Sequence, residues 1–451
     1  MISGADDLFI FLAWAIYGRR LEKAFPKPPG QIQEKRIAIL TPLWHEAGVV
    51  RRMVEHNLST LRYHRFELFL GVYPNDPETI AEARHLEEAY SHVHVALCPH
   101  NGPTSKADCL NWIFQRLLLF EESTGWKAEA VVTHDAEDVM HAEELRWISH
   151  YLDRFDMVQI PVLPLRTSGW DVVHGVYCDE FAEYQTKDIP TRMLLGGFIP
   201  SNGVGTGYRR EAIEKLAEVD GNRVFSPECL TEDYENGYRL HRLGFRQAFI
   251  PLARLGATIV ATREYFPRRL RAAIRQRTRW ITGIVLQSWQ RHGWSGGWGD
   301  RYWWWRDRKG IVGNPMSHCA NLLSIALAFY LTANPGDAAM RLREMLFTHP
   351  AAAAVTGMLL FLQAVSLGMR MAAVGHVYGW KFALGVPVRV PVANAINTLA
   401  AVRAAVRFFA ACRSGQPLVW LKTEHSYPSR AALSELQPEP CVRWAASADA
   451  T

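Results

Sequence analysis

Three carboxylates stand directly after a short apolar segment in the first third of the chain. The run from Ala130 to Thr133 is typical of a buried strand, and Asp135, Glu137 and Asp138 follow it. Side chains two apart at an extended end can reach one ion, and carboxylates together with phosphate oxygens are suitable ligands for Mg²⁺ or Mn²⁺. The three acids are therefore candidate metal ligands. The alternative is a solvated loop with a helix cap.

A second acidic pair, Glu232 and Asp233, opens a stretch with a helical pattern that runs from Tyr234 to Leu243. Acids in the first turn are favoured by the helix dipole, and Thr231 or Ser226 could cap this helix. A carboxylate in this position could also serve as a general base that takes a proton from a hydroxyl. The sequence alone is compatible with either role.

A third group, Gln276, Arg279 and Trp280, lies in a basic amphipathic stretch from Arg271 to Leu286. Arginine can bind phosphate through two parallel hydrogen bonds, and tryptophan can stack on the face of a sugar. A basic amphipathic helix next to membrane segments also commonly rests on lipid headgroups. The two roles are compatible with each other.

The overall charge sets few limits, but its distribution is uneven. A formal net charge of +5 on 451 residues does not demand a nucleic-acid partner, and we predict none. Arginines are concentrated between Arg263 and Arg279, where Glu264 is the single acid. The seven cysteines are scattered and form no Cys-x-x-Cys pair, which argues against a disulfide framework or a zinc site and fits a reducing cytosol.

The elements that position these groups alternate in type along the first third of the chain. Strands are predicted at 36–40, 66–72, 92–97 and 130–133, and helices at 46–60, 77–90 and 104–122. Repeated strand–helix units favour an α/β fold with a parallel sheet, whose ligands bind at the carboxyl ends of the strands. Residues 41–46, 75–76 and 135–138 would lie at that edge.

The last third of the chain has the composition of membrane helices. Met316–Ala333 and Ala351–Gly368 are almost uncharged and are near the length needed to cross a bilayer. Two crossings would return the chain to the side where it started. The basic residues that precede the first crossing indicate that this side is cytoplasmic.

Two further apolar segments suit the membrane interface better than a crossing. The segment 390–411 carries Arg403 and Arg407 at helical spacing, which favours a helix lying in the interface. The N-terminal run from Leu8 to Tyr17 is too short to span a bilayer, and we predict an interfacial or packing helix there.

Taken in order, Thr41–Glu46, His134–Asp138, Thr231–Asp233 and Gln276–Trp280 resemble the motifs of a family 2 glycosyltransferase of the processive kind. The chain is similar to cellulose synthase and hyaluronan synthase over roughly residues 35–310. The resemblance implies a GT-A type nucleotide-sugar-binding domain with a Rossmann-like mixed sheet, followed by interfacial and transmembrane helices. It also implies an inverting, metal-dependent transfer of a sugar from a nucleoside diphosphate-sugar, such as a UDP-sugar, to a growing glycan.

The resemblance assigns roles to individual residues. Asp233 matches the catalytic base, with Glu232 beside it, and Glu137 stands where the family usually has Asp, which leaves a metal ligand open between Glu137 and Asp138. The implied donor-binding residues are Thr41, Pro42, Glu46, Asp76, Lys106 and Asp135. The residues implied for acceptor and diphosphate are Gln276, Arg279 and Trp280, and the implied cofactor is Mg²⁺ or Mn²⁺.

A narrower likeness rests on His134–Asp138, Tyr73–Pro77 and Trp420–Pro428. These segments resemble the bacteriophage adsorption protein B-like glycosyltransferases of bacterial inner membranes. The resemblance implies an inner-membrane protein with a cytoplasmic catalytic domain, membrane lipid as a partner and an outer-membrane partner for export. The alternatives are a single-addition transferase acting on a lipid-linked acceptor, and a catalytically silent scaffold of an envelope glycan-export complex.

These observations divide the chain into five predicted regions. They are an N-terminal helix at 1–34, a glycosyltransferase domain at 35–260, interfacial helices at 261–310, a transmembrane and interfacial region at 311–411, and a C-terminal tail at 412–451.

Overall fold

The computed structural model describes residues 2–255 and 258–416, together with residues 418, 427–429 and 433. Most of the Trp420–Pro428 motif therefore lies outside the described residues. The strands, in chain order, are β1 (Ile37–Pro42), β2 (Phe66–Val72), β3 (Val93–Leu97), β4 (Ala130–Thr133), β5 (Met157–Gln159), β6 (Val162–Pro164), β7 (Thr206–Arg209), β8 (Gln247–Phe249), β9 (Arg254–Leu255), β10 (Thr258–Ile259) and β11 (Thr262–Glu264).

Seven of these strands form one mixed sheet in the order β3-β2-β1-β4-β7-β5-β8. The four predicted strands are present as β1 to β4 and pair in parallel, whereas β7 runs antiparallel to both of its neighbours. Strand β11 pairs with β6 outside this sheet, and an isolated bridge joins Arg263 to Val139. This bridge sets β11 beside the loop that follows β4.

Helices cover both faces of the sheet and form its two hydrophobic layers. Along β1, the neighbours Ile39 and Leu40 belong to opposite layers because successive side chains of a strand alternate. The helices up to the second acidic pair are α1 (Ile2–Ala24), α2 (Ala47–Thr60), α3 (Pro77–Ala89), α4 (Lys106–Thr124), α5 (Glu144–Tyr151), α6 (Val172–Glu183), α7 (Ile189–Leu194), α8 (Arg210–Val219) and α9 (Glu232–Arg242).

The C-terminal part of the chain is helical throughout its described residues. Its helices are α10 (Leu270–Ile281), α11 (Ser288–His292), α12 (Trp298–Arg308), α13 (Gly310–Ala333), α14 (Pro335–Thr348), α15 (Pro350–Tyr378), α16 (Trp380–Ala383) and α17 (Val386–Ser414). Two π-helical segments, Tyr184–Asp188 and Thr282–Gln287, extend α6 and α10.

Three of these helices, α13, α15 and α17, are long and apolar enough to cross a membrane. Helices α13 and α15 contain the two predicted crossings. No residue of α13 is buried, and its large apolar side chains, such as Leu323 and Phe329, are exposed. Large apolar surfaces of this kind are unfavourable in water, so these helices indicate association with a membrane. By contrast, α17 buries one face, which includes Ile396 and Ala400, against the rest of the protein.

The N-terminal helix is longer than the predicted run at 8–17. Helix α1 packs on α15 and α7, and the carboxylate of Asp6 accepts a hydrogen bond from Lys309 Nζ at 2.6 Å. Helix α1 thus packs on neighbouring helices along part of its surface. Its exposed apolar residues, such as Phe9 and Ile16, lie on the remaining surface.

Candidate active site

The segments predicted to do chemistry surround one open cavity at the carboxyl edge of the sheet. The loop after β1, the loop after β4, the first residues of α4 and α9, and one face of α10 form its walls. Of the predicted site residues, the cavity is lined by Pro42, Glu46, Lys106, Asp135, Glu137, Glu232, Asp233, Gln276, Arg279 and Trp280. A cavity in which aromatic side chains and a few polar groups converge is the usual form of a small-molecule site, and Trp44, Tyr73 and Trp280 line this one together with the charged residues.

Lys106 provides the main positive charge beside the first acidic loop. Helix α4 begins at this residue, with Ser105 capping the helix by accepting a hydrogen bond from the backbone N–H of Asp108. Lys106 Nζ lies 2.6 Å from Asp135 Oδ1 and donates to the carbonyl of Gly203 at 3.3 Å. Burial alone would lower the pKa of Lys106, but Asp135, Glu232 and Asp233 together raise it. The ammonium group is therefore held in its charged form within the cavity.

The second acidic pair opens α9 inside the cavity. Thr231 precedes the helix but makes no capping hydrogen bond with its side chain, and the Ser226 hydroxyl donates instead to Asp220, so neither residue caps α9 as the sequence suggested. Burial, and then the neighbouring Asp233, raise the pKa of Glu232 to about 7, although Lys106 opposes this shift.

Asp233 experiences a similar environment. Burial raises its pKa, while the charge of Lys106 and the backbone N–H of Tyr234, which donates to Asp233 Oδ1 at 2.8 Å, lower it. The net shift is upward. A carboxylate whose pKa is moved towards neutral pH is a better proton acceptor than one with an ordinary pKa.

A glycine allows the chain to approach Asp233 closely. Gly203 has a φ of +78°, in the left-handed region that favours glycine, and a Cβ there would lie 2.6 Å from Asp233 Oδ2. The same Cβ would lie 3.2 Å from Lys106 Nζ. The turn before β7 therefore brings its backbone close to both Asp233 and Lys106.

The helix α10 supplies the remaining predicted residues. Gln276, Arg279 and Trp280 share the face that lines the cavity. The Trp280 ring packs against Tyr177 and Phe266, with ring centroids 6.1 Å and 6.2 Å away. These contacts fix the indole at the cavity wall instead of leaving it in solvent.

Of the two acids left open as a metal ligand, Glu137 lines the cavity and Asp138 does not. Asp138 is fully buried, and its Oδ2 accepts hydrogen bonds from His134 Nδ1 at 2.8 Å and from the backbone N–H of Asp135 at 2.9 Å. His134 Nε2 lies 3.1 Å from Glu144 Oε1. Burial alone would lower the pKa of His134, but Glu144 and Asp138 raise it to about 10. Asp138 therefore belongs to a buried ion cluster beneath the cavity floor.

Two predicted donor-binding residues are also turned away from the cavity. Asp76 accepts from the backbone N–H of His45 at 2.6 Å and from that of Thr79 at 3.4 Å, so it holds the loop after β1 against the start of α3. Thr41 is fully buried in β1. Neither side chain lines the cavity, and their contact with a donor stays a prediction.

The cavity also contains residues that were not predicted as site residues. Trp44 and Tyr73 stand edge to face on its wall, with ring centroids 5.3 Å apart and planes at 88°. Glu264, at the end of β11, faces the acidic loop, and burial and then Asp138, Glu137 and Asp135 raise its pKa. The feature of the sequence that could have indicated Glu264 is that it is the single acid in the arginine-rich segment.

Comparison with known proteins identifies the family. The description "Glycosyltransferase like family 2" matches residues 35–283, which is more than half of the chain. This chain is a family 2 glycosyltransferase. The match includes the acidic loop after β4, the acidic pair Glu232 and Asp233, and the cavity-lining residues of α10, and the mixed sheet is of the GT-A type expected for such an enzyme.

Two curated relatives are similar over a longer stretch. They are the bacteriophage adsorption protein B of Escherichia coli K12 and the bacteriophage N4 adsorption protein B of Escherichia coli O157:H7, each 36% identical over 358 residues. The alignment covers 73% of this chain and 48% of each relative. The chain therefore spans about half the length of the curated relatives that it matches.

Two solved structures align with most of the chain at low identity and low TM-score. A mannosyltransferase from Pyrobaculum calidifontis, in complex with GDP-Man and Mn²⁺, aligns with 85% of this chain and 96% of its own at 17% identity and a TM-score of 0.46. Residues 1–349 of TarS from S. aureus align with 84% of this chain and 92% of their own at 12% identity and a TM-score of 0.31.

The acids of this glycosyltransferase fit a divalent cation that is shared with a ligand. Asp135 and Glu137 both line the cavity, and hard carboxylate oxygens suit Mg²⁺ or Mn²⁺. Within the described ranges, no three His, Cys, Asp or Glu side chains converge as a ready-made metal site. A cation held by one or two carboxylates therefore needs phosphate oxygens to complete its shell, as Mg²⁺ commonly does.

Proposed function

We propose that the protein is an inverting, metal-dependent glycosyltransferase that moves a sugar from a nucleoside diphosphate-sugar to a growing glycan at a membrane. The observation that carries this proposal is the pairing of two kinds of acid in one cavity. Asp135 and Glu137 provide oxygens for a cation, whereas Glu232 and Asp233 provide a base whose pKa is raised. Transfer from a diphosphate donor to a hydroxyl needs both groups at once.

The chain's own residues divide the reaction between them. Asp233 takes the proton from the acceptor hydroxyl, whose oxygen then forms a bond to the anomeric carbon while the bond to the diphosphate breaks. Lys106 and Arg279 lie where they can neutralise the leaving diphosphate. A bound Mg²⁺ or Mn²⁺ would supply further charge neutralisation at that diphosphate. Because one base assists one displacement, the anomeric configuration is inverted.

The aromatic residues of the cavity support a donor of the nucleotide class. Trp44, which packs edge to face on the buried Tyr73, offers a flat apolar surface on which a base such as that of a UDP-sugar can stack, and Trp280 offers one to a sugar. The acceptor in this proposal is a growing glycan or, in the alternative, a lipid-linked sugar, and the packing of α10 on α17, one of the three long apolar helices, supports an acceptor held near the membrane. An export partner in the outer membrane belongs to the same proposal.

We infer an inner-membrane location with the catalytic domain in the cytoplasm, where nucleotide-sugars are made. The exposed apolar helices α13 and α15 support the membrane part of this inference. Full-length protein in bacterial membranes should resist both a high-salt wash and carbonate extraction. Release of the full chain by salt alone would mean that these helices do not cross the bilayer.

The test of the proposed function uses purified full-length protein and a panel of radiolabelled nucleotide-sugars. We expect that one donor of the panel is used, that transfer depends on Mg²⁺ or Mn²⁺, and that the label is recovered in the glycan or lipid fraction. Long products indicate processive synthesis, and a single added sugar indicates the alternative of one addition to a lipid-linked acceptor. No transfer or hydrolysis of any donor, together with no binding of nucleoside diphosphates, would favour the silent scaffold.

A further inference from the structure

A groove lined by five arginines lies on the outer side of α10, away from the catalytic cavity. Its walls come from α10 and α17, which are distant in sequence and pack against each other. The residues that line it are Arg269, Arg271, Ala272, Arg275, Thr278, Arg403 and Arg407. The sequence showed two separate basic segments, and the fold joins them into one surface.

The charge of this groove is not neutralised by the protein. The five arginines are exposed, and within the described residues none of them pairs with a carboxylate. Arg277 on the same helix differs, because it binds Glu180 and Asn397. Five guanidinium groups around one space form a site for an anion, and guanidinium matches the oxygens of phosphate.

The surroundings of the groove are apolar. On α17, Val402, Val406 and Phe409 are exposed beside Arg403 and Arg407. Exposed valine and phenylalanine next to arginine suit a helix that lies in a lipid headgroup layer, with its apolar side chains among the acyl chains. A site for a soluble anion alone would not need this apolar rim.

The groove also lies at the base of an apolar helix. Ile311, in the first turn of α13, packs into one hydrophobic cluster with Ala404 and Phe408 of α17. Ala404 and Phe408 immediately follow Arg403 and Arg407 in the chain, so both arginines stand within about one turn of the point where α13 leaves the catalytic domain. That is the level at which lipid headgroups would meet the protein if α13 enters a bilayer.

We propose that this groove binds the headgroup phosphate of an anionic phospholipid and thereby holds α10 at the membrane surface. The same helix carries Gln276, Arg279 and Trp280 on its other face, so a lipid in the groove would fix the helix that forms one wall of the active site. The inference concerns binding and does not depend on the identity of the donor sugar.

The experiment measures lipid binding to the full-length protein in a neutral detergent. Phosphatidylglycerol, phosphatidylcholine, diacylglycerol and inorganic phosphate are titrated separately, and bound lipid is counted by native mass spectrometry. We expect saturable binding of phosphatidylglycerol, weaker binding of phosphatidylcholine, and no competition by inorganic phosphate at equal concentration. Binding of phosphatidylglycerol should weaken with salt because the contact is between charges.

Variants locate the site. Each arginine near an anionic lipid surface contributes about fivefold to affinity, so Arg403→Gln combined with Arg407→Gln should weaken phosphatidylglycerol binding about 25-fold. Arg271→Gln combined with Arg275→Gln, on the opposite wall, should do the same. The matched control combines Arg341→Gln with Arg413→Gln, which removes two exposed arginines outside the groove and should leave the affinity unchanged.

Three results would overturn the proposal. Equal binding by the parent and both groove variants would show that lipid binds elsewhere. An equal loss of affinity in the control variant would show that the effect comes from net charge alone. Inorganic phosphate that displaces the lipid at equal concentration would make the groove a site for free anions. Because all the substituted arginines are exposed, unchanged melting temperatures are expected and are measured on the same samples.

Discussion

Two groups of acids lie between β4 and the first residue of α5, and their surroundings differ. Asp135 and Glu137 line the cavity, where Lys106 faces Asp135 at 2.6 Å. Asp138 and Glu144 are completely buried and enclose His134. One group faces a space in which a ligand can bind, and the other is already paired inside the protein.

The difference shows that the type of residue in a motif does not decide its role, whereas the direction of its side chain does. A buried charge that loses its partner is costly, so acids of the second group should affect stability. Asp135 and Asp233 face the cavity and keep partial access to water, so their loss should affect binding or rate with little change in stability. The same distinction separates Asp233 from Asp76, which is occupied by two backbone N–H groups.

The largest effect is expected for Asp233→Asn. Loss of a general base typically costs 10²–10⁴-fold in rate, and donor binding should persist because the base acts on the acceptor proton. Transfer is measured by single-turnover assays, and donor affinity is measured by calorimetry. Glu228→Gln, which removes an exposed acid four residues before Glu232, is the control and should retain turnover. More than a tenth of the parent rate in Asp233→Asn would remove this residue from the mechanism.

A smaller effect on rate is expected for Gly203→Ala. The new Cβ would lie 2.6 Å from Asp233 Oδ2, so the carboxylate must move, and a displacement of this size can cost about tenfold to a hundredfold in turnover. Gly221→Ala is the matched control, because its φ of +58° carries the same backbone strain while a Cβ there meets nothing within 4 Å. If both variants lost activity equally, backbone strain and not contact with the base would explain the loss.

The smallest effect is a shift of the pH profile in Lys106→Met. The rate should fall as pH drops through the pKa of the acidic pair, because the base must be deprotonated. The charge of Lys106 lowers the pKa values of Glu232 and Asp233, so its loss should move this acidic limb to higher pH. The measurement is kcat/KM between about pH 5 and about pH 9, with Lys127→Met as a surface control. If the acidic limb of the profile did not move, the charge of Lys106 would have no effect on the pKa values of Glu232 and Asp233.

Much of the fold could be predicted because parallel strands leave continuous apolar runs. The boundaries of β1 to β4 follow the predicted strands closely, and the motif order predicted which segments meet. The short strands β5 to β8 were not predicted, since three or four residues carry too weak a pattern. Helix α17 was expected to lie in an interface, and its buried face against α6, α10 and α13 depends on tertiary contacts that periodicity cannot supply.

The site was harder to predict than the fold for a physical reason. A motif places a loop, but hydrogen bonds decide which side chains turn inward. Asp138 turns towards His134, and Asp76 turns towards the N–H groups of His45 and Thr79. Glu264 reaches the cavity through β11, which joins the acidic loop by a bridge from Arg263 to Val139. No local pattern near residue 135 could indicate that contact.

The measurement that tests the contrast between the two acidic groups most directly compares Asp135→Ala with Asp138→Ala. Binding of nucleoside diphosphate is measured by calorimetry with Mn²⁺ and with chelator, and melting temperature is measured on the same preparations. We predict that Asp135→Ala loses the cation-dependent part of binding at an unchanged melting temperature. Asp138→Ala should keep the cation dependence and melt at least about 5 °C lower, because a buried ion cluster is broken. The reverse pattern, or equal affinity of the parent with Mn²⁺ and with chelator, would contradict the account.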